Sequence, residues 1–353
     1  MTNNTQNSNN PQSIKSPSGD LGVKHILIKL LDYQYLSRDE SRELLIAIVK
    51  GEVPDTQVSA IITIFLMRSI SVDEVLGFRE ALVEMRISVD LKEYKAIDIV
   101  GTGGDGKNTF NISTSACFVV AGAGYPVVKH GNYGATSVSG SSNAMELQGV
   151  KFTTDIGVLR KSIETSNIAY LHAPFFSPAL KAVAPVRKSL GVRNFFNVLG
   201  PLINPSDPEY QMLGVYDLSM SRLYSYIYQA SKKKFGIVHS LDGYDEISLT
   251  GQFKVVSNKG EQLFMPEELG FKRVNQDEIF GGNTVEEVVS VFNKVLNCTA
   301  TQAQMDVAIV NAAFAIQIIE TAKSIAECIE IARDSLYGKK ALNALKKFVE
   351  VNK

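Results

Sequence analysis

The amino-acid sequence predicts an α/β protein, in which a small all-helical N-terminal domain precedes a larger α/β domain with a central sheet flanked by helices. Helical periodicity alone is found from Val23 to about Tyr94. Short apolar runs that are typical of buried strands then alternate with helical segments, and the C-terminal part is helical again. Alternation of this kind indicates a sheet covered by helices.

Residues 1–22 are predicted to form a disordered extension. They are rich in Asn, Ser, Gln and Pro and contain no apolar core. A segment of that composition buries too little apolar surface to offset the entropy lost on ordering. It also lacks the apolar stretch of a secretion signal.

The helical domain is predicted over residues 23–95. Two helices begin with a capping box, Ser37 with Glu40 and Ser71 with Glu74, in which each side chain accepts the other residue's backbone N–H. Apolar residues at helical spacing predict faces that serve equally as internal core or as a dimer interface. They are Leu44, Leu45, Ile48, Val58, Ile61, Ile62, Phe65, Val75, Phe78 and Leu82.

The α/β domain is predicted to begin at Ala96. A helix is predicted over Ser113–Ala123, and a further capping box, Thr284 with Glu287, predicts the start of a C-terminal helix. The predicted strands are Ile97–Val100, Pro126–Lys129, Ile168–His172, Gln211–Val215 and Phe235–His239.

The overall charge and composition narrow the class of protein. The formal net charge is −1 and the isoelectric point is about 6.5, so no global basic field is available to hold a nucleic-acid backbone. Three widely spaced cysteines without a Cys-x-x-Cys pair fit buried thiols better than a disulfide framework or a zinc site. No apolar run approaches the ~20 residues of a membrane span. We therefore expect a soluble, cytoplasmic protein with neither a nucleic-acid nor a membrane partner.

A glycine-rich turn after the first strand is the first candidate binding site. The segment Gly101–Gly106 contains four glycines and is followed by Thr109, Asn111, Ser113 and Thr114. Glycines let backbone N–H groups approach a ligand closely, and the following helix N-terminus adds partial positive charge. The pattern favours a phosphate or pyrophosphate over an ordinary tight turn. It is neither a Walker loop nor a dinucleotide fingerprint.

A lysine and a loop of small residues follow the second strand. The run Lys129–Asn132 precedes Ser137, Ser139, Gly140, Ser141 and Ser142. A lysine at the carboxyl end of a strand is well placed to pair with a phosphate. For His130, direct catalysis and a structural bond to the backbone are equally good interpretations. The serines fit either a flexible loop or one that closes over a substrate.

Charged residues provide two further candidates. The adjacent Asp245 and Glu246 offer hard oxygen ligands for Mg²⁺, although an isolated Asp-Glu pair is more commonly a solvated turn. Arg187 and Arg193 each present the planar fork that matches a carboxylate. Their spacing does not separate that role from a structural salt bridge.

Taken together, these segments closely resemble the anthranilate phosphoribosyltransferases. The Lys-His-Gly-Asn run alone is shared with pyrimidine nucleoside phosphorylases. The matching pieces occur in the family's order within about Val23 to Val351, and they are Gly101–Asp105, Asn111–Thr114, Lys129–Asn132, Pro185–Arg187, Phe196–Pro205 and Asp245-Glu246.

The resemblance implies that a phosphoribosyl group is transferred from 5-phosphoribosyl 1-pyrophosphate to the amine of anthranilate, in tryptophan biosynthesis. The active site would lie in a cleft between the two domains. The α/β domain would comprise residues 96–181 and 205–353, and the helical domain would also receive roughly residues 182–204. A homodimer joined through the helical domain is implied as well.

The resemblance also assigns the site residues. Mg²⁺ would be bound by Ser113, Asp245 and Glu246. Anthranilate would contact Gly101, Asn132 and Arg187, with Arg187 on its carboxylate. No residue is assigned as a nucleophile, because the amine of anthranilate is itself one. The implied contacts to phosphoribosyl pyrophosphate are Gly101, Gly104, Asp105, Thr109, Asn111, Ile112, Ser113, Thr114, Lys129, His130, Gly131, Asn132, Tyr133, Gly134, Ala135, Thr136, Ser137 and Ser141.

Two positions depart from the family pattern: Tyr133 stands where many members carry Arg, and Ser177 where many carry His. Two alternative functions are those of a pyrimidine nucleoside phosphorylase of the same fold and of a catalytically silent paralogue that binds nucleic acid. The phosphorylase would carry Lys-His-Ser-Thr-Gly-Gly where this chain reads Ile99–Gly104, and it would need no acidic pair. The near-zero net charge opposes the nucleic-acid binder.

Overall fold

The computed structural model describes residues 20–134 and 138–353. The strands are β1 (Ile97–Gly101), β2 (Val127–Gly131), β3 (Ile168–His172), β4 (Tyr210–Gly214), β5 (Lys234–Ser240), β6 (Phe253–Ser257) and β7 (Gly260–Phe264). The helices are α1 (Asp20–Leu31), α2 (Arg38–Val49), α3 (Asp55–Met67), α4 (Val72–Met85), α5 (Ile112–Gly122), α6 (Ser141–Leu147), α7 (Ile156–Ser166), α8 (Ala173–Phe176), α9 (Pro178–Ala182), α10 (Ala184–Leu190), α11 (Phe196–Leu199), α12 (Leu218–Gln229), α13 (Val285–Leu296), α14 (Gln302–Ile319), α15 (Ile325–Tyr337) and α16 (Lys340–Val351). Short 3-10 helices are Lys92–Tyr94, Gly200–Leu202, Pro266–Leu269 and Gln276–Ile279.

One mixed sheet forms the centre of the larger domain, with strand order β3-β2-β1-β4-β5-β6-β7. The first five strands in that order are parallel to one another, and the β5–β6 and β6–β7 pairs are antiparallel. The chain passes from β3 at one edge to β4 on the other side of β1, which makes the β1–β4 boundary a topological switch point. In sheets of this kind ligands bind outside the carboxyl ends of the strands at such a point. The predicted fold class is confirmed.

All five predicted strands are present, with ends within two residues of the predicted ones. The sequence did not predict β6 and β7. The side chains of β7 are largely exposed, and three of the five in β6 are only partly buried. These strands therefore lack the continuous apolar run that identifies a parallel strand buried on both faces.

The capping boxes at Ser37 and Ser71 are confirmed with both reciprocal hydrogen bonds. The third predicted capping box, Thr284 with Glu287, forms only in part. Thr284 accepts the N–H of Glu287 at 3.2 Å, but the Glu287 carboxylate accepts the N–H of Asn283 at 2.6 Å instead of that of Thr284. The carboxylate reaches one residue beyond the cap, so the box is not closed.

Helix α1 begins at Asp20, so residues 20–22 are helical, although they were predicted to belong to the extension. Val23, Ile26 and Leu30 are buried at helical spacing, which gives α1 an apolar inner face and extends it towards the N-terminus.

The predicted apolar faces of α2, α3 and α4 all lie in one buried cluster, here called the helical-side cluster. This cluster also contains apolar residues between Ala179 and Ile203, and it continues onto one face of β4 and β5. The ring of Phe195, for example, stacks on Phe78 at 4.9 Å. Packing of this kind supports the proposed assignment of residues 182–204 to the helical domain.

The opposite face of the sheet has its own core, here called the far-side cluster, built with α5 and α13–α16. Adjacent strand residues therefore enter different cores. Met212 packs in the far-side cluster and Leu213 in the helical-side cluster.

Helix α14 belongs to this far-side core. Within the described ranges it is the one helix long and apolar enough to cross a membrane, yet 67% of it is buried in the protein. That burial is typical of a core helix.

Candidate active site

A cleft of about 340 Å³ lies at the carboxyl ends of β1 and β2 and is closed on one side by residues of the segment 180–201. Most of the predicted site residues line it. They are Gly101, Gly104, Asp105, Thr109, Asn111, Ser113, Thr114, Lys129, His130, Gly131, Asn132, Tyr133, Gly134, Ser141, Arg187, Asp245 and Glu246.

One predicted residue that the structure describes, Ile112, is not among the lining residues. Ile112 is fully buried in the far-side cluster, because it faces inward from the first turn of α5. Ala135, Thr136 and Ser137 lie outside the described residues. The cleft also includes Leu180, a position to which no sequence pattern pointed.

The cleft depends on two glycines that face each other across the switch point. Gly101 at the end of β1 pairs in register with Gly214 at the end of β4. A Cβ on Gly101 would lie 2.3 Å from Oδ2 of Asp245, and one on Gly214 would lie 1.6 Å from its backbone oxygen. Neither position admits a side chain while Asp245 stays where it is. The glycine pair therefore lets the loop after β5 lie over the ends of β1 and β4.

The two acidic residues hold the glycine-rich turn and the start of α5. Asp245 Oδ2 accepts the N–H of Gly103 at 2.6 Å. Glu246 Oε1 accepts the N–H of Ser113 at 2.8 Å, and its Oε2 lies 3.4 Å from the hydroxyl of Thr109. A carboxylate is favourable at a helix N-terminus. Two backbone donors that the sequence suggested for a phosphate are thus bonded to Asp245 and Glu246.

The electrostatics of this pair suit a divalent cation. Burial, repulsion by Glu246 and the charge of Asp105 raise the pKa of Asp245 well above its ordinary value. Burial, as the largest cause, raises the pKa of Glu246 to about 7. A bound cation would relieve this repulsion, and carboxylate and hydroxyl oxygens are ligands that Mg²⁺ prefers. The described residues contain no cluster of three His, Cys, Asp or Glu side chains suited to a metal.

Lys129 lies in the middle of β2 and is 2% exposed. Its Nζ donates to the backbone oxygen of Ile99 at 2.8 Å and is 3.5 Å from the hydroxyl of Ser113. On the adjacent strand, Asp98 accepts the backbone N–H of His130 at 3.2 Å. Lys129 therefore brings a buried positive charge close to the proposed metal ligand Ser113.

His130 is buried and lines the cleft. Its Nε2 has no hydrogen-bond partner among the described residues. Burial lowers the pKa of its ring to about 4, so the imidazole is neutral at pH 7. A neutral ring can act as a hydrogen-bond partner, but it brings no positive charge to a phosphate.

The loop between β2 and α6 is held at both of its described ends by one side chain. Asn143 Oδ1 accepts the N–H of Gly134 at 3.2 Å and that of Gly140 at 2.9 Å. A Cβ on Gly140 would lie 2.3 Å from the nitrogen of Gly134. The two ends are thus in direct backbone contact, and residues from both of them line the cleft.

The structure separates the two arginines. Arg187 lines the cleft, and its guanidinium lies 5.3 Å from the centre of the Phe196 ring. Among the described residues its Nε has no hydrogen-bond partner, and burial lowers its pKa. Arg193 lies outside the cleft lining, 4.0 Å from the centre of the Tyr216 ring. Within the described part of the chain, Arg187 therefore brings a positive charge without an ion-pair partner to the cleft. Arg193 instead lies on the outer side of the glycine-rich turn, where a Cβ on Gly104 would be 2.9 Å from its Cδ.

The two positions that depart from the family pattern have different surroundings. Tyr133 lines the cleft, its hydroxyl contacts Glu146, and its ring meets His172 edge-on at 5.0 Å. Ser177 is buried outside the cleft lining, and its Oγ has no partner within the described residues. Of the two departures, only Tyr133 changes the wall of the cleft.

Comparisons with known proteins agree with this geometry. Residues 24–85 match the family model described as the helical bundle domain of a glycosyl transferase family, and residues 93–342 match its α/β domain. Anthranilate phosphoribosyltransferase of Bacteroides thetaiotaomicron is 61% identical over 94% of this chain and 99% of the relative. The enzyme of Bacteroides fragilis is 62% identical over 94% of this chain and the whole of the relative.

Two solved structures are also similar. Anthranilate phosphoribosyltransferase from Thermus thermophilus superimposes with a TM-score of 0.85 at 31% identity and covers 92% of this chain and 98% of its own. The Saccharomyces cerevisiae enzyme in complex with PRPP and Mg has a TM-score of 0.86 at 25% identity, and the match covers 94% of this chain and 98% of the yeast chain.

The buried histidine makes stability depend on pH in a defined direction. A ring with a pKa of about 4 when folded and 6.5 when unfolded binds fewer protons in the folded state between those values. Its effect is absent above about pH 7, and stability is lost as the pH falls from 6.5 towards 4. We expect the wild type to lose about 2 kcal/mol between pH 7 and pH 5 relative to His130→Asn.

Urea unfolding at both pH values measures this difference. The matched control is His25→Asn, since His25 is exposed on α1. An identical pH dependence of the wild type and His130→Asn would show that His130 is not kept neutral by burial.

Proposed function

This chain belongs to the anthranilate phosphoribosyltransferase family, and from that membership we infer that it transfers the phosphoribosyl group of 5-phosphoribosyl 1-pyrophosphate to the amine of anthranilate. The products are N-(5-phosphoribosyl)anthranilate and pyrophosphate, and the reaction is a step of tryptophan biosynthesis. Within this family, the structural observation that supports the inference is the set of charged residues in one cleft. This cleft is lined by Arg187, by the buried Lys129 and by the acidic pair Asp245-Glu246.

Phosphoribosyl pyrophosphate is proposed to bind between the glycine-rich turn and the loop after β2. Oδ1 of Asn111 is buried without a partner among the described residues, which suits a ribose hydroxyl as donor. Lys129 supplies a positive charge near Ser113, and the hydroxyl of Thr114 lies in the same wall. Gly101, Gly104, Asp105, Thr109, Ser113, His130–Gly134 and Ser141 complete the proposed contacts, and the proposals for Ile112 and residues 135–137 rest on the resemblance alone.

Mg²⁺ is proposed to be held by Ser113, Asp245 and Glu246. When bound, the cation neutralises charge that develops on pyrophosphate as it leaves. The two carboxylates fit this role, because burial and neighbouring negative charge raise their pKa, and a bound cation would favour their charged forms.

Anthranilate is proposed to lie with its carboxylate on Arg187 and its ring near Gly101 and Asn132. The amine attacks C1 of the ribose, the C1–O bond to pyrophosphate breaks, and the nitrogen loses one proton. Alignment of the two reactants can lower the barrier by ~7–11 kcal/mol in favourable cases. No enzyme nucleophile is proposed, because the neutral aromatic amine already is one.

A homodimer joined through the helical domain is also proposed. Apolar side chains are exposed together on α1, the turn after it and the end of α3. They are Ile28, Leu31, Tyr33, Tyr35, Leu66 and Met67, here called the α1–α3 patch. Contiguous exposed apolar surface on a soluble protein commonly marks an interaction surface, and identical chains commonly pair about a twofold axis.

The first of three predictions from the proposed function concerns the metal. Fluorescence of anthranilate should decrease only when both phosphoribosyl pyrophosphate and Mg²⁺ are present. The double variant Asp245→Asn, Glu246→Gln keeps the shape of the pair and removes both charges, so we expect turnover to fall at least a hundredfold, on the order of the loss of one main electrostatic group.

The control for this prediction is Asp242→Asn, because Asp242 is an exposed acidic residue of the same loop. It should retain normal turnover. Full activity of the wild type in excess chelator would contradict the proposed metal site.

The second prediction separates the arginines. Arg187→Ala should raise the KM for anthranilate roughly ten- to hundredfold, because a charge-assisted pair contributes about 1.5–3 kcal/mol. The KM for phosphoribosyl pyrophosphate should change little. Arg193→Ala is the matched control, and its KM for anthranilate should stay near normal. The reverse pattern in two folded variants would place the carboxylate on Arg193.

The third prediction concerns assembly. Sedimentation should give a species of twice the 38.6 kDa mass of one chain. The double variant Leu31→Arg, Met67→Glu places charges in the α1–α3 patch and should give monomers, because burying them in an apolar interface is costly. Leu263→Glu changes another exposed apolar residue, on β7, and should leave the dimer intact. A wild type that is monomeric at micromolar concentrations would contradict the proposal.

A further inference from the structure

A chain of four hydrogen-bonded side chains lies directly behind the loop between β2 and α6. The hydroxyl of Tyr170 on β3 is 2.8 Å from Oγ of Ser141 and 2.8 Å from Oγ of Ser142. The hydroxyl of Ser142 is also 2.8 Å from Nδ1 of His172. Of these four residues, only Ser141 lines the cleft. The chain therefore leads from the interior of the protein to one hydroxyl at the cleft.

Packing fixes the inner members of this chain. Tyr170, Ser142 and His172 are all buried. The ring of Phe152 stacks on His172 at 4.2 Å and on Tyr170 at 5.3 Å. Aromatic rings held in this way keep few alternative orientations. The hydroxyl of Tyr170 is therefore held in place before any ligand arrives.

The same hydroxyl lies close to the loop backbone. A Cβ on Gly131 would lie 2.2 Å from the Tyr170 oxygen and 2.3 Å from Oγ of Ser141. Only glycine at position 131 leaves room for this approach. Gly131 thus allows the hydroxyls of Tyr170 and Ser141 to meet beside the loop backbone.

Counting the hydroxyl protons fixes the donor and the acceptor of each hydrogen bond among these four side chains. Tyr170 has one hydroxyl proton and contacts two serine hydroxyls, so it donates to one and accepts from the other. Phosphate oxygens only accept, so a phosphate beside Ser141 needs the proton of that hydroxyl. Ser141 can then accept from Tyr170, Tyr170 from Ser142, and Ser142 from Nδ1–H of His172. One tautomer of His172 supports this arrangement throughout.

We propose that Tyr170, Ser142 and His172 are positioning residues that hold the Ser141 hydroxyl as a hydrogen-bond donor to a phosphate oxygen of phosphoribosyl pyrophosphate. The proposal rests on the proposed function. It assigns a role in substrate binding to three residues that do not touch the substrate.

Tyr170→Phe tests the proposal most directly, because it keeps the ring and its stacking on Phe152 and removes only the oxygen. We expect the KM for phosphoribosyl pyrophosphate to rise roughly tenfold. The kcat and the KM for anthranilate should stay within about twofold of wild type, because the hydroxyl acts on phosphate binding alone. The matched control is Tyr125→Phe, which removes a hydroxyl bonded to Glu320 at 3.0 Å, outside the cleft lining, and should change neither constant.

Two changes at His172 separate hydrogen bonding from stacking. His172→Phe keeps an aromatic ring on Phe152 and removes Nδ1, so the KM for phosphoribosyl pyrophosphate should rise as in Tyr170→Phe. His172→Asn loses the ring but offers an N–H near the position of Nδ1, so this KM should stay closer to that of wild type. The reverse order would show that stacking matters and would overturn the proposal.

An unchanged KM for phosphoribosyl pyrophosphate in folded Tyr170→Phe would also overturn the proposal, as would equal rises for both substrates. A wild type without any turnover would overturn the proposed function instead. In that event, calorimetric titration of phosphoribosyl pyrophosphate into the same variants still tests the role of the four hydrogen-bonded side chains.

Discussion

The active-site architecture depends on a space left by two missing side chains. Gly101 and Gly214 end neighbouring parallel strands in register, and the loop after β5 occupies the volume that two Cβ atoms would fill. Asp245 sits in this space and is bonded to the glycine-rich turn, while Glu246 is bonded to the first turn of α5. The acidic pair therefore links three separate segments. A substitution at either glycine would displace that pair before it affected the sheet itself.

This arrangement carries an energetic cost that its function explains. Burial destabilises the charged forms of these two carboxylates, neighbouring negative charge adds to this effect, and both causes raise their pKa values. Proteins commonly retain such destabilising groups where a ligand or an ion needs them. Lys129 adds a buried positive charge, since its ammonium donates to a backbone oxygen and lies 3.5 Å from the hydroxyl of Ser113. The site thus keeps charges of both signs close to the predicted path of the pyrophosphate.

Much of the fold could be predicted from sequence, because buried parallel strands and capped amphipathic helices leave local patterns. The strands β6 and β7 were missed because their half-exposed residues mix polar and apolar types. Spacing alone could not separate Arg187 from Arg193, since the difference between them is the direction of a side chain after the chain has folded, and only the resemblance assigned Arg187. The resemblance identified the loop of Ser141. It did not predict a role for Tyr170 and His172 behind that loop, because the sequence of a buried strand indicates only that its residues belong to the core.

The helical-side cluster has a consequence for how the chain is made. Its residues come from α1–α4 and from a second region that begins at Ala179, and Phe195 is translated more than a hundred residues after Phe78. Chains grow at roughly 5–20 residues per second, so the first four helices wait on the order of seconds for the partners that complete their core. During that interval Phe65 and Phe78 remain without Phe195, which later packs against both. Until that later region has been made, the N-terminal helices leave part of their apolar surface uncovered, and this uncovered surface can enter non-native contacts.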